Sequence, residues 1–139
     1  MLTNDRQAYR RAFFIAWEKY QNKTQLDPVE KQLVEVILLH PEFQKWLNHP
    51  AHIETQEFSM EENPFLHMSL HIALREQLRM DRPTGIKLLY QRFINKFEHA
   101  HDAEHQMMKC LASLLWQGQQ TGMTPSDEDY IRLLESTSR

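Results

Sequence analysis

Four histidines occur as two pairs in which the partners are four residues apart. His67 and His71 form the first pair, and His101 and His105 form the second. Residues four apart are neighbours on one face of an α-helix, so each pair is expected to place two imidazoles side by side. The same spacing supplies two zinc ligands in helical metal sites. The pattern therefore predicts transition-metal chemistry, provided that the two helix faces meet.

Glu104 accompanies the second pair, within the string H-D-A-E-H. At about 100° per residue, its side chain falls on the apolar arc of its helix, between Met108 and Leu111. A glutamate is rarely buried without a partner, so we expect Glu104 to be shielded from water and bonded to a histidine or an arginine. The string also matches H-x-x-E-H, in which the glutamate is the general base of a zinc hydrolase. The pattern makes Glu104 a candidate general base. The third metal ligand of such a hydrolase is not identified, so the pattern is the only support for this role.

The two histidine pairs and Glu104 together form a candidate metal site. Neutral imidazole and carboxylate are donors that suit zinc, iron or manganese, and helix bundles build metal centres from side chains on facing helices. A buried polar network is the alternative, in which Glu104 pairs with one of these histidines or with Arg75 or Arg79. The protein is then a non-enzymatic structural or protein-interaction module. The sequence leaves both functions open, because no periodicity shows that the two faces meet.

The elements that must position these residues are helices. Apolar residues recur every three or four positions, which predicts an all-α bundle of six or seven helices in a single domain, residues 1–139. Only three glycines are present, which argues against tight hairpins and a glycine-rich phosphate loop. The longest predicted irregular segment covers residues 48–63. Predicted helices cover residues 4–21, 63–80, 83–97 and 99–117, with shorter ones after Asp27, through Phe43 to Leu47, and after Thr124. His40 and Pro41 are expected to end the helix that starts after Asp27, because the residue before a proline avoids the α region.

The charge distribution argues against nucleic acid as a partner. The net charge is -3, and the basic residues of the first helix, Arg6, Arg10, Arg11 and Lys19, are predicted to form its solvated side without making a basic stripe. No apolar run approaches the roughly 18 residues that a membrane span needs. The partner stays unknown, and the sequence is compatible with a homo-oligomer.

Cysteine usage and the N-terminus favour a cytoplasmic location. Cys110 is the single cysteine, so no internal disulfide can form, and a reducing compartment is expected. The N-terminal residues lack the apolar run of a secretory signal. Cys110 lies about 180° from His101 around its helix, which disfavours a Cys–His nucleophile within that helix. We expect a buried, unreactive thiol.

Four motifs carry a resemblance to a known family: HPEFQKWL, NPFLHMSLHIALREQ, the restart D-R-P-x-G-I, and AEHQMMKCLASLLWQGQ. Over nearly the whole chain they resemble the proteobacterial family known as domain of unknown function 1841. Segment 49–62 departs from the family pattern. The resemblance implies a small bacterial cytoplasmic protein and no activity, since none is assigned to the family. The family pattern is matched here by Asn63, Pro64, His67, His71, Glu76, Gln77, His101, Glu104, His105 and Cys110.

Overall fold

The computed structural model of the chain describes residues 6–49, 58 and 63–139. Within that part the chain is helical and has no strand, so the predicted all-α fold is confirmed. Most of the predicted irregular segment 48–63 lies outside the described residues. The helices are α1 (Arg6–Gln21), α2 (Pro28–Leu38), α3 (Pro41–Leu47), α4 (Pro64–Met80), α5 (Ile86–Phe97), α6 (Ala100–Thr121) and α7 (Asp127–Thr137).

The chain groups into two compact units, Met1–Ile72 and Ala73–Arg139. Helix α4 gives its first half to one unit and its second half to the other. Each unit has its own buried residues and is described by itself, and the single domain stays a prediction. None of the helices in the described part is long and apolar enough to span a bilayer.

In the first unit, α1, α2 and α3 pack on one another. The start of α4 joins them through Phe65, whose ring centroid lies 5.9 Å from that of Phe13. Burial of these apolar side chains is what holds the helices together. The core consists of Phe13, Ala16, Trp17, Leu33, Val34, Val36, Ile37, Leu47, Phe65, Met68 and Ile72.

Helix α2 begins and ends where its local sequence dictates. Glu30 donates its backbone N–H to Asp27 Oδ1 at 2.7 Å, and Asp27 donates its backbone N–H to Glu30 Oε1 at 3.0 Å. This capping box satisfies two N–H groups that the first turn leaves without partners. At the other end, His40 precedes Pro41 and has left the helical conformation, with φ −129° and ψ 71°. The proline excludes the α region for that residue, so His40 lies at the junction between α2 and α3.

The prediction that Arg10 faces water is wrong. Its side chain is only 1% exposed, and its guanidinium carbon lies 5.0 Å from the centroid of Phe65 and 5.4 Å from that of Phe58. The face of an aromatic ring attracts a guanidinium ion. Periodicity within α1 carries no signal for these rings, because they come from positions about fifty residues further along the chain.

In the second unit, α5, α6 and α7 pack on one another. The loop before α5 is fixed by Asp81, whose carboxylate accepts the backbone N–H of Lys87 at 3.1 Å and that of Gly85 at 3.2 Å. These donors, that of Lys87 first, lower the pKa of Asp81. Helix α5 therefore begins at Ile86, after Gly85 with a φ of 97°, and not at residue 83. Helix α6 continues beyond the predicted end at residue 117 to Thr121.

Candidate metal centre

The first histidine pair lies in the first half of α4. This helix begins as predicted, since Asn63 Oδ1 accepts the backbone N–H groups of Phe65 at 3.0 Å and Leu66 at 3.2 Å. An asparagine cap followed by proline fixes the start of the helix. His67 and His71 consequently share one face of α4, and their ring centroids lie 4.9 Å apart.

Both imidazoles of this pair contact a third imidazole, that of His40, which the sequence analysis did not identify. The Nε2 atoms of His67 and His71 each lie 3.1 Å from His40 Nε2. All three ligand atoms lie within 4.8 Å of one another. His71 and His40 are 0% and 2% exposed, and His67 is half-buried. We call His40, His67 and His71 the imidazole cluster.

His40 is oriented by the backbone of α2. Its Nδ1 atom lies 2.8 Å from the carbonyl oxygen of Val36. A carbonyl only accepts, so Nδ1 carries the hydrogen of this bond, and in neutral His40 the lone pair is then on Nε2. Metal-binding histidines typically donate their second N–H to a carbonyl or a carboxylate in this way. His40 thus presents Nε2 in the form that a metal ion binds.

The spacing of the imidazole cluster suits a small metal ion. Zinc binds histidine nitrogen at about 2.0–2.1 Å, which puts the nitrogens of a tetrahedral site about 3.3 Å apart. Two of the separations here are 3.1 Å. The lone pair on His40 Nε2 accepts one hydrogen bond well, whereas both His67 Nε2 and His71 Nε2 lie within hydrogen-bond distance of it. A cation at the centre would use all three lone pairs at once.

The aromatic ring of Phe43 packs against two members of the imidazole cluster. It stacks on His40, with centroids 5.2 Å apart and planes at 11°. The same ring meets His67 edge-on at 5.6 Å. An apolar neighbour of this kind limits the access of water on its side of the cluster.

The sequence contained a signal for His40 that we interpreted only as a helix stop. The residue follows the apolar run Val36–Leu39 and precedes Pro41, and it opens one of the motifs shared with the family. Its partners are 27 and 31 residues away, and helical periodicity does not reach that far.

In the second unit, Glu104 pairs with an arginine. Arg75 Nε donates to Glu104 Oε1 at 3.0 Å, and the glutamate is 7% exposed. The prediction that Glu104 is shielded and bonded to a histidine or an arginine is confirmed. Burial first, and then the charge of Glu104, raise the pKa of Tyr90.

The second histidine pair also has the expected proximity. His101 Nε2 and His105 Nε2 lie 2.9 Å apart, and their ring centroids lie 4.2 Å apart. Both rings are half-buried. That this pair and Glu104 bind one metal ion together with His67 and His71 stays a prediction.

Tyr130 and Cys110, both in the second unit, have contacts of an ordinary structural kind. The Tyr130 hydroxyl donates to Gln77 Oε1 at 2.7 Å. Cys110 is buried as predicted, with its sulfur 3.6 Å from Thr137 Oγ1. Burial raises the pKa of the Cys110 thiol, which keeps it protonated and a poor nucleophile near neutral pH.

In the part that the structure describes, the protein is all-α. Its site is a cluster of histidines that come from the junction between α2 and α3 and from α4. A family model described as Domain of unknown function (DUF1841) matches residues 5–136. The chain belongs to this family, so the resemblance seen in its motifs is confirmed. No curated protein and no solved structure matches the chain. The bacterial source and the cytoplasmic location stay predictions.

Proposed function

We propose that the protein binds a divalent transition metal ion through the imidazole cluster, His40, His67 and His71. One observation carries the proposal: three Nε2 atoms converge while the Nδ1 atom of His40 is held by the Val36 carbonyl. Zinc, iron and manganese are the ions that the sequence predicts, and three histidines are a known protein contribution to a zinc site.

The kind of groups that meet also supports metal binding. A structural network in a protein interior matches each donor with an acceptor. The imidazole cluster gathers three groups of the same kind at a buried position. A cation at such a position binds the nitrogen lone pairs of several imidazoles at once.

The sequence prediction adds His101, His105 and Glu104 as ligands. In its enzymatic form, Glu104 is instead the general base beside a bound water at an open coordination position, and is then not a ligand. These assignments stay in the proposal as predictions, and catalysis is not needed for it. The Arg75–Glu104 ion pair at 3.0 Å favours the alternative function for the second unit. Under that alternative, Glu104 belongs to a polar network that fixes helix register, and the protein is a structural or interaction module.

The direct test is a calorimetric titration of the untagged full chain with zinc after treatment with a chelator. We expect His40→Gln, His67→Gln and His71→Gln each to weaken zinc binding by about 100-fold or more, since each removes one of three bonds. The control is His99→Gln, because His99 is exposed and makes no side-chain cap bond at the start of α6. Wild-type affinity in all three cluster variants, or no binding to the wild type, overturns the proposal.

Thermal melts give a second measurement for variants that fold less well. Zinc at 100 times its Kd is expected to stabilise the wild type by about 2.7 kcal/mol through mass action, and the cluster variants should lose this gain. His101→Gln, His105→Gln and Glu104→Gln are tested in the same way. A variant that loses as much of the zinc stabilisation as His71→Gln identifies its residue as a metal ligand. A variant that keeps the full zinc stabilisation shows that its residue is not a ligand.

A further inference from the structure

Resting on the proposed function, we infer that the imidazole cluster selects ions from the cobalt-to-zinc part of the first transition series over manganese, magnesium and calcium. The inference concerns which metal binds, and so narrows the ions that the sequence predicts. Three features carry it: the donor type of His40, His67 and His71, the charge of the site, and the separations between the nitrogen atoms.

The donors of the cluster are of one type. Within the described residues of the unit Met1–Ile72, imidazole nitrogens make up the group and no carboxylate joins it. Imidazole suits zinc, copper, nickel and iron, whereas carboxylate, carbonyl and water suit magnesium, calcium and manganese. In the general order of affinity, manganese is the weakest of the divalent ions from manganese to zinc. The donor set therefore ranks manganese last in that series.

The absence of negative charge among the three imidazole donors also favours ions such as zinc over magnesium. Histidine binds a metal as neutral imidazole, so the donors supply no negative charge of their own. His40 and His71 are almost entirely buried, and a cation that enters gives up water. Magnesium dehydrates reluctantly and usually keeps several waters beside carboxylate or phosphate oxygens. Strong bonds to nitrogen offset the lost hydration for ions such as zinc, and not for magnesium.

The number of donors and the separations between their nitrogen atoms fit a small ion with few ligands. His67 Nε2 and His71 Nε2 each lie 3.1 Å from His40 Nε2. Calcium takes six to eight oxygen ligands at 2.3–2.6 Å, a number and a type of donor that three imidazoles do not supply. Zinc takes four ligands, and bonds of about 2.0–2.1 Å to histidine nitrogen match the observed separations with small ring movements.

The test is competition against a chromogenic chelator, with the untagged, chelator-treated full chain and with zinc, cobalt, manganese, magnesium or calcium added one at a time. We expect zinc to bind at least about 100-fold more tightly than manganese, and cobalt to give the visible absorption of nitrogen coordination. Manganese within tenfold of zinc overturns the inference and leaves the proposed function standing. Failure of every ion to bind overturns the proposed function itself.

A carboxylate placed in the cluster tests whether donor type causes the selectivity. In His67→Asp, a half-buried imidazole is replaced by an oxygen donor with a negative charge. We expect the ratio of zinc affinity to manganese affinity to fall at least about tenfold, with a shifted cobalt spectrum. His99→Asp is the matched control, and its ratio should equal that of the wild type. An unchanged ratio in His67→Asp, with circular dichroism showing a folded protein, overturns the inference.

Discussion

The imidazole cluster of the first unit and the ion pair of the second unit combine polar groups in opposite ways. In the unit Met1–Ile72, three imidazoles meet, and the Nε2 atoms of His67 and His71 each lie 3.1 Å from His40 Nε2. In the unit Ala73–Arg139, two complementary pairs form: a guanidinium with a carboxylate at 3.0 Å and a hydroxyl with an amide oxygen at 2.7 Å. The same unit also holds one pair of like groups, His101 and His105, with Nε2 atoms 2.9 Å apart. A complementary pair satisfies its own hydrogen bond, whereas three imidazoles at one point also offer three ligand atoms to a metal ion.

The two histidine pairs share a spacing and have different contacts within their own units. Both have a spacing of four residues. The pair His67–His71 contacts His40, which belongs to another part of the chain, whereas His101 and His105 contact each other along one helix at 2.9 Å. Spacing alone thus predicts that two imidazoles are neighbours. It carries no signal for the groups from other parts of the chain that meet the pair, such as His40.

The largest effect on stability is expected at the complementary ion pair. Arg75→Met takes the charged partner from Glu104, which is 7% exposed. Removing one partner of a buried pair costs about 3–5 kcal/mol, and we expect about 2–3 kcal/mol here because the Arg75 side chain is 36% exposed. Urea unfolding measures the change. Arg79→Met, one turn further along α4 and exposed, is the control and should change stability by less than about 0.5 kcal/mol.

If Arg75→Met lowers the free energy of unfolding no more than Arg79→Met does, the ion pair does not stabilise the second unit. The ion pair is then not a stabilising counterpart to the imidazole cluster. Glu104→Gln refines the result. This variant removes the charge while keeping a polar acceptor for Arg75. It should be less destabilising than Arg75→Met, because the arginine can reach water.

A smaller effect is expected at the Tyr130–Gln77 bond. Tyr130→Phe removes the hydroxyl that donates to Gln77 at 2.7 Å. A neutral hydrogen bond of this kind contributes about 0.5–1.5 kcal/mol, and urea unfolding should show a loss in that range. Tyr20→Phe serves as the control, since Tyr20 is 42% exposed. Equal stability of Tyr130→Phe and the wild type would contradict the structural role of this bond.

The same residue gives a pH dependence with a definite sign. Burial raises the pKa of Tyr130 above its ordinary value. A group whose pKa is raised by folding contributes stability below its pKa in the unfolded chain, near 10, and loses it as the pH rises further. The wild type should therefore lose stability above about pH 10 more steeply than Tyr130→Phe. Parallel curves for the two proteins would show that Tyr130 ionises as readily in the folded chain.

The sequence predicted most of the fold because helices are set by local information. The cap and the proline at Asn63 and Pro64 fixed the start of α4, and the apolar arc of α6 placed Glu104 away from solvent. The helix boundaries were predicted less accurately. Helix α5 begins at Ile86 because Asp81 accepts hydrogen bonds from the backbone of the preceding loop, and the apolar periodicity carries no signal for these bonds.

The candidate site was predicted only in part, because its assembly depends on long-range contacts. The spacing of His67 and His71 revealed one pair, but His40 was interpreted as a helix stop before Pro41. Arg10 was assigned to solvent for the same reason, since Phe65, which lies over its guanidinium at 5.0 Å, comes from another helix. Pairing across helices is decided by packing, and a single sequence does not display it.

The smallest change in stability is expected for His71→Leu, and this variant most directly tests the contrast between the imidazole cluster and the ion pair. His71→Leu replaces a fully buried imidazole by an apolar side chain of similar size. In metal-free protein we expect urea unfolding to change by less than about 1 kcal/mol, because replacing a buried polar group by a well-packed apolar one is often nearly neutral. His40 keeps its bond to the Val36 carbonyl and its contact with His67. In the presence of zinc, the same variant should lack the stabilisation that the wild type gains. A loss in metal-free protein as large as that of Arg75→Met would mean that the imidazole cluster is a stabilising network of the same kind as the ion pair, and the contrast between the two units would fail.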